Sequence, residues 1–240
     1  MQQADGRAAW ATVPVGLGRR TAHELVRDTL RRAILRGDLR GGARLVQADI
    51  AASLDVSTTP VREALRDLAT EGLITLDRHR GGVVRELNWA DMEEIAAIRA
   101  ELEPLAMRLV VDRVTEADLD EAQRLVQRML DADDLAAWVE LNAAFHSVVH
   151  DASASPRLAS ILRTLEDSST IYVAQAQRWH PEIRRRAEAE HVALIDALRA
   201  RDRARAVKLA GDHAVLTVEM LDPAERGESS PSASPLPLEG

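Results

Sequence analysis

The stretch that decides the fold is Val46–Gly72, with the sequence VQADIAASLDVSTTPVREALRDLATEG. Its first part, about Gln47–Leu54, has apolar residues at helical spacing, and Asp55–Thr58 has the composition of a tight turn. Thr59 suits the N-cap of a second helix, and Pro60 suits its first position, where a missing N–H removes no intrahelical bond. The apolar face of this second helix consists of Val61, Ala64, Leu65, Leu68 and Ala69. The stretch therefore predicts a helix-turn-helix.

The outward face of the second helix carries groups that suit contact with DNA. Thr58, Thr59, Arg62 and Arg66 lie off its apolar face. The second helix of a helix-turn-helix can enter the major groove with its N-terminus first, where hydroxyl and guanidinium groups reach phosphates and base edges. An ordinary small helical domain with solvated arginines would show the same helical pattern, so the segment that follows has to decide between the two.

That segment predicts a wing. Leu73–Leu76 is a short apolar strand, Asp77–Gly82 (DRHRGG) is a basic turn, and Val83–Arg85 is the returning strand. A two-stranded hairpin with a basic tip can contact phosphates or a minor groove, which favours double-stranded DNA as the partner. The candidate contact residues of the wing are Arg78, His79, Arg80 and Gly81.

The rest of the chain divides into tails and helices. A helix is expected over about Thr21–Arg36, ended by Gly37, and residues 1–18 have no period and are expected to be a disordered tail. Beyond the wing, glycine is absent from 83 to 210. Helices are expected at about 89–113, 116–131, 134–151, 156–178, 182–200 and 203–221. Residues 223–240 are rich in Pro and Ser and are expected to be a second disordered tail.

We therefore predict a mainly α protein with two domains, an N-terminal winged helix-turn-helix over 19–86 and a C-terminal all-α helical bundle over 89–222. The charge distribution agrees with this division. Residues 1–85 contain 14 arginines and 10 acidic residues, a net charge of +4, and the remainder carries −12 of the total of −8. A basic N-terminal part and an acidic C-terminal part favour one module that binds nucleic acid and one that does not.

The composition excludes several classes of protein. The chain has no cysteine, so disulfides and thiolate metal sites are excluded. It contains no apolar run long enough to span a bilayer, and the first twenty residues lack the apolar core of a signal peptide. We expect a cytoplasmic protein that does not interact with a membrane.

Three histidines and an asparagine in the acidic part form a candidate metal site. Asn142 and His146 are four residues apart and share a helix face, and His191 and His213 lie on the last two helices. Three imidazoles and one oxygen suit Zn²⁺ or Ni²⁺. Spacing alone leaves the alternative of ordinary surface or core histidines open. His150, four residues after His146, is expected to be a surface residue or one that supports a ligand.

The first part of the chain resembles a known family, the GntR family of bacterial transcription regulators. The resemblance runs from Leu30 to Val84 and implies a winged helix-turn-helix that binds an operator. Thr58 stands where the family often has arginine, which leaves the operator sequence open. The matching residues are Leu30–Leu39, Gly42, Leu45, Ile50, Ala51, Leu54, Val56, Ser57, Thr59–Leu65, Leu68 and Glu71–Ile74.

The acidic part resembles the all-helical ligand-binding domain, named FCD, of the FadR-type branch of that family. In this domain an Asp or Asn and three His hold a divalent metal, and the equivalent positions here are Asn142, His146, His191 and His213. Asp is the commoner residue at the first position, and Asn142 offers a neutral amide oxygen. The matching residues are Ile98–Ala106, Asn142–His146, Glu190, His191, Ile195, Ala197, Leu198 and His213.

The same resemblance implies an effector-binding residue. Arg99 takes the place of a family arginine that faces the effector cavity, and its guanidinium can hold a carboxylate through two parallel hydrogen bonds. The alternative is a surface ion pair between Arg99 and Glu103, four residues later.

Together these observations predict a homodimeric transcription regulator, with repression as the expected sign. The helical domain would dimerise, and a small organic acid bound at the metal would change the affinity for a near-palindromic operator. Two other functions remain open from the residues alone. One is a metal-dependent hydrolase or lyase that uses the three-histidine site. The other is a DNA-binding architectural protein with a purely structural metal.

Overall fold

The computed structural model describes residues 21–77 and 81–220, which form nine helices and three strands. We refer to residues 21–87 as the head and to residues 88–220 as the body. No helix in the described ranges is long and apolar enough to cross a lipid bilayer. The expected tails at 1–18 and 223–240 and the wing residues Arg78, His79 and Arg80 lie outside the described residues.

The head has the predicted winged helix-turn-helix fold. Its elements are α1 (Ala22–Arg36), β1 (Arg44–Leu45), α2 (Gln47–Leu54), α3 (Thr58–Thr70), β2 (Ile74–Asp77) and β3 (Gly81–Val84). Strand β3 lies between β1 and β2 and pairs antiparallel with both. The apolar positions of the three helices meet in one core, with side chains that include Val26, Leu30, Ile50, Leu65 and Leu68. The apolar residues that recur at helical spacing in the sequence are therefore the ones that are buried.

Local sequence explains both ends of α1. The Thr21 side chain accepts a hydrogen bond from the Glu24 N–H, and the Glu24 carboxylate accepts from the Thr21 N–H, which completes a capping box. Gly37 ends the helix in the left-handed conformation at φ 77°. A side chain at this position would also collide with the guanidinium of Arg178 in the body. The left-handed backbone therefore favours glycine at position 37, whereas the guanidinium of Arg178 is the end of an exposed, flexible side chain that could move aside.

Three details of the head differ from the prediction. Helix α3 begins at Thr58 with Ser57 as its N-cap, so Thr59 is not the cap and Pro60 is the third helical residue. Proline is tolerated there because none of the first-turn N–H groups has an intrahelical partner. Strand β3 begins at Gly81 rather than at residue 83. Strand β1 was not predicted, because two residues are too short to show a period.

The body is an all-α bundle, as predicted. Its helices are α4 (Trp89–Val110), α5 (Glu116–Leu130), α6 (Leu135–Asp151), α7 (Pro156–Trp179), α8 (Pro181–Arg199) and α9 (Arg203–Glu219). Predicted and observed ends differ by three residues or fewer, as expected where helix ends fray. The core is built from side chains that include Met107, Trp138, Phe145, Tyr172 and Leu198.

The head packs against the side of the body formed by α6 and α7. Arg31 of α1 donates a hydrogen bond to Glu140 of α6 at 3.1 Å, and Arg36 donates to Asp134 at 2.7 Å. Two arginines of the head are therefore ion-paired to α6 or to its N-cap residue, and α6 also carries Asn142 and His146.

Candidate functional site

The exposed face of α3 is a candidate DNA-binding surface. Thr58, Thr59, Arg62 and Arg66 are all exposed, while the apolar positions of the same helix are buried. Within the described ranges, neither Arg62 nor Arg66 forms an ion pair. The side chain of the N-cap, Ser57, makes no capping hydrogen bond. Free N–H groups at a helix N-terminus attract anions such as phosphate, so this end of α3 has a favourable electrostatic character for DNA.

The wing is described only at its base. Gly81 begins β3 opposite Asp77 and has φ +114°, a conformation that favours glycine. It is buried, and a Cβ there would collide with the carbonyl of Leu45. The close approach of β1 and β3 thus explains why residue 81 is a glycine.

Three histidines from three helices meet inside the body. His146 lies on α6, His191 on α8 and His213 on α9, and one nitrogen of each ring lies within 4.8 Å of the others. His146 and His191 are almost fully buried, and His213 is half-buried. The ring centroids are 5.2 Å apart for His146 with each of the others and 4.7 Å apart for His191 with His213. Residues far apart in the sequence therefore form one cluster.

The spacing of the ring nitrogens fits ligation of a common ion. His191 Nε2 and His213 Nε2 are 3.3 Å apart. Two nitrogens bound to one tetrahedral Zn²⁺ at about 2.05 Å would be about 3.4 Å apart. The other nitrogen of His213, Nδ1, lies 2.9 Å from the Glu190 carboxylate, which orients the ring as carboxylates do for metal-bound histidines. The donor set and its support therefore fit a divalent metal.

Burial favours the neutral imidazole at His146 and at His191. It lowers the pKa of His146 and of His191 well below the usual value, and the neighbouring histidines and Arg99 lower both further. A neutral imidazole is the form that binds a metal ion. The buried Nδ1 of His191 has no hydrogen-bond partner among the described residues.

Asn142 lies one helical turn before His146 and lines the same cavity. Its Nδ2 donates a long hydrogen bond of 3.4 Å to Glu166 on α7. Glu166 Oε1 is also 3.7 Å from His146 Nε2. Burial raises the pKa of Glu166 well above its usual value, and the positive charge of Arg99 opposes that rise. Glu166 was not predicted as a site residue.

Arg99 also lines this cavity, but it is not a surface residue. It is paired with Glu103 through bonds of 3.3 and 3.0 Å to one carboxylate oxygen, and both side chains are buried. The alternative of an Arg99–Glu103 ion pair is therefore confirmed, but its placement on the surface is wrong. The second oxygen of Glu103 lies 2.8 Å from His150 Nε2, and His150 is buried rather than exposed.

The cavity that these residues line is small. Its volume is about 40 Å³, and its wall includes Arg99, Asn142, His146, Glu166 and His213. A water occupies roughly 10–15 Å³ on this measure, so the space holds a few water molecules. The remaining wall is largely made of small or polar side chains, among them Ala143, Ser169, Thr170, Gln177 and Thr217.

The buried acids of the site left a signal in the sequence. Leu158, Leu162 and Glu166 are spaced four apart on one face of α7, and all three are buried. Glu103 likewise lies on the buried face of α4, together with Ala96 and Ala106. A charged residue that continues an apolar stripe is either paired or part of a site.

Comparisons with known proteins match both parts of the chain. Residues 22–84 match the model of the family described as "Bacterial regulatory proteins, gntR family". Residues 94–215 match the model of the FCD domain, which covers just over half of the chain. The two matches border the head–body junction from either side.

Curated relatives are described as transcription regulators. McbR of Escherichia coli strain K12 is 30% identical over 74% of this chain and 82% of its own. A probable D-xylose utilization operon transcriptional repressor of Paenarthrobacter nicotinovorans is 31% identical over 78% of this chain and 82% of its own. For YdhC of Bacillus subtilis, which is 30% identical, the match spans 58% of this chain and 64% of the relative.

Solved structures show the same architecture. The structure of E. coli McbR/YncC superposes with a TM-score of 0.67 at 25% identity, covering 84% of this chain and 97% of that one. A GntR regulator of Rhodococcus sp. RHA1 gives a TM-score of 0.63 at 24% identity, covering 83% and 99%. The latter likeness concerns the fold alone.

Proposed function

Because this chain belongs to the GntR family of bacterial transcription regulators and carries an FCD domain, we propose that it is a metabolite-responsive repressor. It would bind a near-palindromic operator as a homodimer in the cytoplasm. A small organic acid bound at a metal site in the body would change the affinity for DNA. We assign DNA binding to residues 19–86, and effector binding and dimerisation to residues 89–222.

The proposal for the head rests on the exposed face of α3. Thr58, Thr59, Arg62 and Arg66 would contact base edges and phosphates in the major groove, with the N-terminus of α3 leading. The basic wing residues Arg78, His79 and Arg80 would contact the flanking backbone or minor groove. A dimer would place two such heads on two half-sites.

The observation that carries the proposal for the body is the cluster of His146, His191 and His213 within 4.8 Å. Asn142, on the same helix face as His146, would add an oxygen donor. We propose Zn²⁺ or Ni²⁺ as the ion, because imidazole ligands suit both. When bound, the ion would offer open coordination positions to the oxygen atoms of an acid.

Arg99 is the proposed partner for the carboxylate of the effector. Glu103 holds the guanidinium through Nε and Nη2, so the side chain is fixed in place beside the cavity. A charge that is already oriented costs little further ordering when a ligand binds. The cavity volume of about 40 Å³ favours an effector of a few carbon atoms.

Coupling to the head would pass through α6 and α7. Ala143 and Thr170 line the metal cavity on one side and, on the other, a cavity of about 230 Å³ between head and body. That second cavity is also lined by Arg31, Glu71 and Glu140. A ligand that displaces this shared wall would act on the ion pairs that hold the head.

Exposed apolar residues on α4 support dimerisation through the body. Ile98 and Leu105, two turns apart on one face of α4, are 42% and 39% exposed. Large apolar side chains on one exposed face are typical of an interface. Sedimentation equilibrium would measure the expected dimer, and an Ile98→Glu, Leu105→Glu variant would shift the mass towards the monomer.

Binding of the purified chain to DNA tests the proposed function as a whole. Selection from a random duplex library should yield a near-palindromic sequence, whose affinity falls steeply with salt because phosphate contacts release counterions. Failure to enrich any sequence at low salt would contradict the proposal. The alternative of a metal-dependent hydrolase or lyase is not retained, because the matched domains and relatives are those of transcription regulators.

A further inference from the structure

Glu166 is a buried carboxylate that forms no close ion pair with an arginine or lysine of residues 21–77 and 81–220. It lies on α7 in the wall of the metal cavity and is 5% exposed. Its contacts are the 3.4 Å hydrogen bond from Asn142 Nδ2 and the 3.7 Å approach to His146 Nε2. Both are longer than a good charge-assisted hydrogen bond, which is about 2.7–2.9 Å. The side chain is therefore held in the cavity by weak contacts only.

The nearby cation does not satisfy this carboxylate. Among the described residues, Arg99 donates its side-chain hydrogen bonds to Glu103, whose other oxygen faces His150. Arg99, Glu103 and His150 thus form a closed buried network next to Glu166. Burying a carboxylate without a bonded partner is costly, so a positive charge that arrives in the cavity would be stabilised strongly by Glu166.

The geometry is compatible with an ion between Glu166 and His146, although Glu166 lies outside the group of three histidines whose nitrogens are within 4.8 Å of one another. Pairs of ligands around one ion at bonds of about 2.1 Å are roughly 3.0 to 4.2 Å apart. The separation of 3.7 Å between Glu166 Oε1 and His146 Nε2 falls in this range. Asn142 contacts the same oxygen of Glu166. The uncharged side chain of Asn142 and the carboxylate of Glu166 therefore face each other across the cavity.

We propose that Glu166 is the anionic residue of the metal site and supplies the negative charge that Asn142 does not. The inference rests on the proposed metal site. Glu166 and Asn142 together replace the single acidic residue that the position of Asn142 would otherwise provide. The carboxylate would neutralise one of the two charges of a divalent ion, and the oxygens of Asn142 and Glu166 would add donors to the three imidazoles.

Metal affinity of matched variants tests this inference. The full chain, stripped of metal by a chelator, is titrated with Zn²⁺ against a competing chromophoric chelator. Glu166→Gln keeps the size of the side chain and removes the charge, and it should weaken binding by about 10- to 100-fold. Asn142→Asp combined with Glu166→Gln restores a charge on the facing residue and should recover affinity to within a few-fold of wild type.

Asp167→Asn is the control, because Asp167 is the next residue on α7 and lines the head–body cavity instead. It should bind Zn²⁺ as wild type does. The melting temperature of the metal-free Glu166→Gln protein should stay close to that of wild type, since the substitution keeps the size of the side chain and Glu166 makes only long contacts. A merely structural role would instead lower that melting temperature.

The outcomes separate the two proposals. If wild type fails to bind Zn²⁺, the proposed metal site is wrong and the role of Glu166 falls with it. If wild type binds but Glu166→Gln binds within twofold of it, or no more weakly than the Asp167→Asn control, the metal site stands and the role of Glu166 is overturned. If the double variant with Asn142→Asp and Glu166→Gln binds Zn²⁺ as weakly as Glu166→Gln alone, a charge at position 142 does not substitute for the charge at position 166. That result would overturn this part of the proposal.

Discussion

Arg31 of the DNA-reading head donates a hydrogen bond to Glu140 of the body at 3.1 Å, and it donates at 2.8 Å to Glu71 at the end of α3. Glu140 lies two residues before Asn142 on α6, and His146 follows one turn later. The same short piece of helix therefore contacts the head on one face and lines the cavity with the three-histidine cluster on the other. This arrangement gives a direct route by which occupancy of the cavity can alter the position of α3.

Removing the Arg31–Glu140 pair should weaken this coupling. Glu140→Gln is expected to reduce the effector-induced change in DNA affinity by about two- to fivefold, the range of a partly exposed ion pair. Zn²⁺ affinity should stay unchanged, because Glu140 lies outside the cavity. DNA affinity with and without effector measures the effect. Glu116→Gln, which removes an exposed ion pair with Arg199 inside the body, is the control, and equal coupling in both variants would argue against this route.

Arg62 should be essential for binding DNA. Arg62→Ala is expected to weaken specific binding by about 10-fold or more, because a lost contact to a base edge costs about 1–3 kcal/mol. Fluorescence anisotropy with a duplex selected by the protein gives the dissociation constant. Arg205→Ala removes an exposed arginine from α9 and should leave binding unchanged. Wild-type affinity in Arg62→Ala would show that α3 is not the reading helix.

His191 should be required for metal binding. His191→Ala removes one imidazole of the cluster, and the purified variant is expected to contain less than a tenth of the metal found in wild type. Elemental analysis of the full chain after dialysis measures the content. His180→Ala, at the junction of α7 and α8, serves as the control. Full metal occupancy in His191→Ala would place the ion elsewhere.

The fold and the candidate site differ in how far they follow from the sequence. Helices α1 to α9 follow from periodicity, because each buries one face against a neighbour. The imidazole cluster was predicted through a family resemblance, since ligands on α6, α8 and α9 have no local spacing that brings them together. The contacts of Arg31 and Glu166 depend on how the head and α7 pack against α6. Contacts between distant elements leave only an indirect signal in the sequence, such as a charged residue at a position where the helical pattern predicts an apolar one.

Acid should destabilise the body through Glu103. Burial by itself raises the pKa of Glu103, but His150 and Arg99 outweigh burial and hold it at about 2. As the pH falls, the unfolded chain therefore takes up this proton first. The stabilisation is complete above the ordinary glutamate value of 4.5 and is lost as the pH falls towards 2. Urea unfolding of the metal-free protein from about pH 6 down to about pH 2.5 measures the loss.

The matched variant is Glu103→Gln, which leaves Arg99 buried without its counter-charge. It should lower the free energy of unfolding at neutral pH by about 3 kcal/mol. Its stability should also depend less on pH than that of wild type below pH 5, since the group responsible is gone. Identical pH dependence in the two proteins would mean that another carboxyl group causes the acid sensitivity.

The central claim is that a small acid bound at a metal in the body changes the affinity of the head for DNA. Anisotropy titration of a selected duplex tests it most directly, with Zn²⁺-loaded and metal-free protein and a panel of hydroxy, sugar and dicarboxylic acids. We predict that at least one acid shifts the dissociation constant by about fivefold or more, and only in the loaded protein. A dissociation constant that stays the same with every acid, in protein shown to contain metal, would contradict the account.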